Sequence, residues 1–172
     1  MPEFDVVELG PADHPEPGDE APDFTRPVVN DEYWEDASLS DLAAETDGDE
    51  PVVLVFTPML GSFPAQYVWD ELTERGWDER ATLVSVTIST PYDVARYLRE
   101  RSYPMVGVSD PANEIAEDYG IVHDLDGMAG IAEPRPAIFA VDDDLTVEVA
   151  WVATEWPEFP PYDDLEEALG FD

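Results

Sequence analysis

The 172-residue chain contains no cysteine. That absence excludes disulfides, thiolate catalysis, thiolate zinc sites and cysteine-ligated iron–sulfur clusters. Lysine is missing too: all seven basic residues are arginine (26, 75, 80, 96, 99, 101 and 135), set against forty-two carboxylates. Phosphate binding needs a basic surface, so nucleic acid is not an expected partner. No apolar run approaches the roughly 18 residues of a membrane span, and no membrane association is expected. Met1-Pro2-Glu3-Phe4-Asp5 has neither a basic nor an apolar region, so no secretory signal peptide is expected.

What is present is acid and apolar bulk together. A 44% hydrophobic content with five Trp, seven Tyr and seven Phe is enough for a core despite a net charge of −35. Self-repulsion on that scale destabilises a compact state in dilute buffer. At about 1 M salt the Debye length falls to roughly 3 Å and the penalty is screened. The composition therefore predicts a protein of a salt-rich cytosol, that of a halophile. The carboxylates are spread along the whole chain, which argues against a dedicated binder of basic partners.

The chain is organised around 52–72. Val52-Val53-Leu54-Val55-Phe56 reads as a strand buried on both faces, followed by a breaker, Thr57-Pro58-Met59-Leu60-Gly61. Ala65, Val68, Trp69 and Leu72 then fall at i, i+3, i+4 and i+7, a helix stripe within 62–75 closed by Gly76. A helix opening from a buried strand presents free amides and a positive dipole end, a frequent setting for chemistry. Around this unit, residues 1–16 read as an extended lead-in, with an edge strand at 5–9, and 17–172 as one domain. Further strands are expected at 23–29, 81–88, 105–108, 137–141 and 147–152. Helices are expected at 39–44 (capped by Ser38 or Ser40), from Thr90-Pro91 to Arg101, from Pro111 to Gly120, and from Tyr162 to Leu169. Strand–helix alternation ending in a hairpin and a helix predicts an α/β layered sheet with a mixed edge.

Several segments together resemble the peroxiredoxin family. Pro17-Gly18-Asp19-Glu20-Ala21-Pro22-Asp23-Phe24 is similar to its PG-x-x-APDF opening, and Leu39-Ser40-Asp41-Leu42 to the stretch before its first core strand. Val53–Pro58 resembles the strand into its active-site loop, Ser109-Asp110-Pro111 with Ala116–Ile121 its SDP…YG stretch, and Phe139-Ala140-Val141-Asp142 a later strand. The likeness runs over about 17–155. It implies a thioredoxin-like three-layer sandwich, a central mixed β-sheet flanked by helices. It also implies a thiol peroxidase whose motif is Pro, three residues, Thr or Ser, two residues, Cys. Pro58 and Ser62 match; the cysteine position is Ala65, and the Glu often found three residues later is Val68. The family's Arg, three residues before the strand Phe, is Pro136 here, with Arg135 one residue earlier. On a regular strand that offset turns the side chain to the other face, so Arg135 reaches the site only through a bulge or a later strand start.

Without a thiolate the family's attack on the O–O bond cannot run. Ser62 has no base beside it in sequence, and oxidation of Met59 is one stoichiometric event. Three readings follow: a non-peroxidase binding or interaction protein, with a small anion or a partner's side chain at the Ser62–Ala65 helix start; an enzyme of different chemistry built on Ser62, Tyr67 and Arg135; or a subunit that forms a homodimer or associates with a related redoxin. No cofactor and no metal are expected. His14 and His123 lack matched ligand spacing and read as surface residues. Asp142-Asp143-Asp144 and Asp124-x-Asp126-Gly127 read as solvated turns, lacking the calcium-loop pattern. Arg96, Arg99 and Arg101 read as balancing nearby acids. Trp151, Trp156, Phe159 and Tyr162 read as core packing, with a dimer surface as the alternative.

Overall fold

The computed structural model describes residues 6–46, 49–123 and 129–171. In chain order its elements are β1 (Val7–Glu8), β2 (Thr25–Val29), β3 (Trp34–Ser38), α1 (Leu39–Ala44), β4 (Val52–Phe56), α2 (Phe63–Glu74), a 3-10 turn (Trp77–Glu79), β5 (Thr82–Thr87) and α3 (Pro91–Arg101). There follow β6 (Val106–Ser109), α4 (Glu114–Asp118), β7 (Val122–His123), β8 (Glu133–Pro134), β9 (Ala137–Val141), β10 (Val147–Val152), β11 (Glu155–Trp156) and α5 (Tyr162–Leu169). Seven strands form one mixed sheet in the order β10-β9-β4-β5-β6-β2-β3. It is parallel across β4, β5 and β6 and antiparallel elsewhere.

The two-residue period of β4 sets the layers. Val52, Leu54 and Phe56 join Val84, Val86 and Phe139 on one face, under Leu39 of α1 and Ile115 of α4. Val53 and Val55 join Leu83 and Ile138 on the other, under Val68, Trp69 and Leu72 of α2, Val94 and Leu98 of α3, and Leu165 of α5. Removing each such large side chain from water contributes about 1.5–3 kcal/mol. Burial of all five β4 side chains therefore makes this strand the centre of both cores. On β6, a Cβ at Gly107 would lie 2.3 Å from Val94 Cγ1, so α3 packs against the sheet at a distance only glycine permits.

Local chemistry sets the element ends. Ser38 and Asp41 form a reciprocal capping box on α1, while the Ser40 hydroxyl instead donates to Asp23 Oδ2 at 2.7 Å. Thr90 caps α3, with Pro91 in its first turn. The helix expected from Pro111 starts only at Glu114. Pro111 and Ala112 are used in a turn, and the Asp110 carboxylate accepts from the Ile115 N–H at 2.8 Å.

Four short strands were not legible in the pattern. β3 pairs with β2 although its sequence, Trp-Glu-Asp-Ala-Ser, carries no apolar alternation. Its register comes from the turn, where Asn30 Oδ1 accepts from the N–H groups of Glu32 and Tyr33, each at 2.8 Å. β7 pairs antiparallel with β8, and β11 with β1. Asp124, Asp126 and Gly127 lie outside the described residues. Among the described residues no helix is long and apolar enough to cross a membrane.

Candidate functional site

β4 ends at Phe56, and the chain turns through a buried Thr57 whose hydroxyl donates to the Pro58 carbonyl at 2.9 Å. Gly61 lies at φ +96, a backbone conformation that side chains disfavour, and this lets α2 open at Ser62. Ser62 accepts the Gln66 N–H on its carbonyl at 3.1 Å, but its hydroxyl makes no cap bond. That hydroxyl is enclosed and has no hydrogen-bond partner. Pro64, in the first turn, has no N–H to leave unpaired. Ala65 follows, 0% exposed.

Two side chains from distant parts of the chain hold this loop. The Met59 N–H donates to Glu133 Oε2 at 2.8 Å, and the Leu60 N–H donates to Ser89 Oγ at 3.1 Å. Glu133 is 1% exposed, and Ser89 is buried beyond the end of β5. A buried carboxylate needs strong donors, and a backbone amide is one. Sequence reasoning missed both tethers. The signal for Glu133 was present: it is the lone charge in Ala129–Pro134, a setting where an acid is either buried or functional.

Arg135 lies between β8 and β9, because the strand starts at Ala137, after Pro136. It is buried, and Nη1 donates to the Ala153 carbonyl at 3.5 Å. Its Nε has no partner, and burial pushes the guanidinium below its usual pKa. Among the described residues none of its hydrogen bonds goes to Ser62 or to the loop. The expected surface position of His123 is corrected: it is buried, opposite Glu133 in the β7–β8 ladder and against Trp156 at 4.8 Å between ring centroids. The pairing folds its ring inward, which a two-residue strand could not announce in sequence. His14 is half-buried, edge-on to Phe139 at 6.1 Å.

Tyr67 is 47% exposed and meets Phe63 and Phe159 at 6.0 and 5.9 Å, while the Arg135 guanidinium meets the Ala153 carbonyl. The late aromatics also divide, since Tyr162 lies under Arg75 at 5.1 Å while Trp156 covers His123. Arg96 pairs with Asp93, Arg99 donates to the Asp31 carbonyl and Arg101 to Gln66. The carboxylates of Asp142, Asp143 and Asp144 come within 4.8 Å of one another in a turn. There Asp142 Oδ1 accepts the N–H groups of Asp144 and Thr146. Beneath the site Phe56, Tyr119 and Phe139 pack ring to ring at 5.3–5.8 Å. The Tyr119 hydroxyl donates to Pro22 at 2.8 Å, joining the opening segment to the Ser109–Ile121 stretch. Burial raises the Tyr119 pKa, with Asp23 and Asp118 adding to it.

A mixed sheet in three layers, with a helix opening from its central strand through a Thr-Pro loop, is the thioredoxin-like arrangement. The chain belongs to the AhpC/TSA family, whose model matches residues 17–150. Among solved structures, a thiol peroxidase from Chromobacterium violaceum is similar at TM-score 0.73 and 23% identity, covering 99% of this chain and 98% of that one. Peroxidoxin BcpB from Mycobacterium tuberculosis is similar at TM-score 0.69 and 23% identity, covering 92% and 96%. The reduced 2-Cys peroxiredoxin of Plasmodium vivax gives TM-score 0.69 at 16% identity, covering 89% and 79%. These likenesses establish the fold. A comparison with curated proteins returns no match.

Proposed function

We propose that this chain is a redoxin-fold binding or interaction protein that does not reduce peroxide. The observation that carries the reading is Ala65, an enclosed methyl group at the position where the family places its nucleophile, in a chain without cysteine. A methyl group cannot attack an O–O bond, and no side chain of the loop supplies a thiolate in its place. The enclosed, unpartnered Ser62 hydroxyl at the start of α2 supports a small anion or a partner's side chain as the bound group. The exposed rings of Phe63, Tyr67 and Phe159 support a second reading, pairing with another copy or a related redoxin beside that helix start. No hydrogen bond or ring contact among Ser62, Tyr67 and Arg135 supports the alternative of a non-thiol enzyme built on them. The net charge of −35 supports work in a salt-rich cytosol. The test is peroxide consumption by the purified protein in molar KCl with a dithiol donor. The expected result is no rate above the uncatalysed background; catalytic turnover overturns the proposal.

A further inference from the structure

A cavity of about 270 Å³ lies between the site loop, at Met59 and Leu60, and α3. Its floor is apolar, from Met59, Leu60 and Ile88. One face of α3 makes the wall, with Asp93, Arg96, Tyr97 and Glu100 following one another at i, i+3, i+4 and i+7. The volume is near the low end for small-molecule sites, so it suits a few heavy atoms rather than a nucleotide.

The charges on the rim are not equivalent. Arg96 is paired with Asp93, which occupies both groups. Among the described residues Glu100 has no ion-pair partner, leaving the rim one negative charge in excess. Tyr97, 8% exposed, also lines the cavity, and an aromatic ring attracts a cation. The field of a chain at −35 concentrates cations and repels anions at any concave surface. Apolar floor, aromatic wall and a single free carboxylate are the complement of one kind of molecule.

We propose that this cavity binds a small organic cation with a short apolar body. The body lies on Met59, Leu60 and Ile88, and the ammonium group meets Glu100 over the Tyr97 ring. Neither Ser62 nor Ala65 lines this cavity. It also touches the loop's support: Ser89, on the cavity wall, accepts the Leu60 N–H, so an occupant braces the same loop from outside.

The probe is butylammonium, titrated into ¹⁵N-labelled protein in molar KCl, where general attraction to the acidic surface is screened. Shifts are expected at Met59, Leu60, Ile88, Ser89 and Tyr97, with butanol and butyrate binding more weakly. Glu100→Gln is expected to weaken butylammonium roughly three- to fivefold, the size of one exposed charge contact. Arg96→Gln frees Asp93 and is expected to tighten it about twofold on the same scale. Glu35→Gln, on the exposed edge strand β3, should leave binding unchanged. The proposal is overturned by any of four results: no shifts at the cavity, butanol binding as tightly as butylammonium, a loss in Glu35→Gln equal to that in Glu100→Gln, or butyrate binding that Arg96→Gln abolishes.

Discussion

At its C-terminal end α2 is secured by charges packed around it. Arg75 donates to Glu71 at 2.7 Å, Asp163 at 2.8 Å and Glu166 at 2.6 Å, and its guanidinium lies over the Tyr162 ring. The three carboxylates, Glu166 foremost, raise its pKa further above an already high value, and Trp77 Nε1 adds a bond to Glu166 at 3.2 Å. The N-terminal end of the same helix has nothing comparable. Ser62 makes no cap bond, and the loop before it is held from outside, by Glu133 on one side and Ser89 on the other. The C-terminal end ties α2 to α5 and serves stability. The N-terminal end is shaped by long-range tethers that leave the Ser62 hydroxyl without a hydrogen-bond partner.

The sharpest way to break this contrast is to cut the buried tether. Glu133→Ala is expected to cost about 2–3 kcal/mol, since it strands the Met59 N–H and opens a cavity. Glu133→Gln keeps an acceptor oxygen and should cost less than about 1 kcal/mol. Denaturant midpoints in molar KCl compare the two; equal losses would mean that the charge, not the bond to the loop, is what matters. Arg75→Ala comes next, at about 1–2 kcal/mol, shared between a partly screened ion network and the side-chain stem on Tyr162. Its cost should shrink as salt rises, whereas that of Glu133→Ala should not.

The smallest effects separate two serines. Ser38→Ala removes a working cap and should cost about 1 kcal/mol, while Ser62→Ala should change stability by less than about 0.5 kcal/mol. Acid sharpens the first case. Bonds from the Ser38 backbone and hydroxyl hold the Asp41 carboxyl below its ordinary 3.8. A depressed folded-state pKa contributes stability that is present above 3.8 and lost as pH falls through the lower folded value. Acidification through that window should therefore narrow the gap between wild type and Ser38→Ala.

Much of the frame was legible because it rests on local patterns. The apolar run at 52–56, the stripe Ala65-Val68-Trp69-Leu72, Pro91 after Thr90 and Gly170 each mark an element where the structure has one. The absence of cysteine is plain in the sequence itself. What escaped depends on contacts between distant residues. β3 is placed by an asparagine turn and its partner strand rather than by its own side chains. Glu133 meets Met59 across 74 residues, and His123 is buried by a pairing whose strands are two residues long. The acceptor of Arg135, the Ala153 carbonyl, follows from how the chain returns after β10.

The claim that a thiol-peroxidase frame persists around a missing nucleophile is tested most directly by Ala65→Cys and the titration of its single thiol. The account predicts a pKa below the free value of about 8.5, because the helix start and the uncommitted Ser62 hydroxyl both favour a thiolate there. A thiol that titrates at or above about 8.5, as burial alone would make it, contradicts the account.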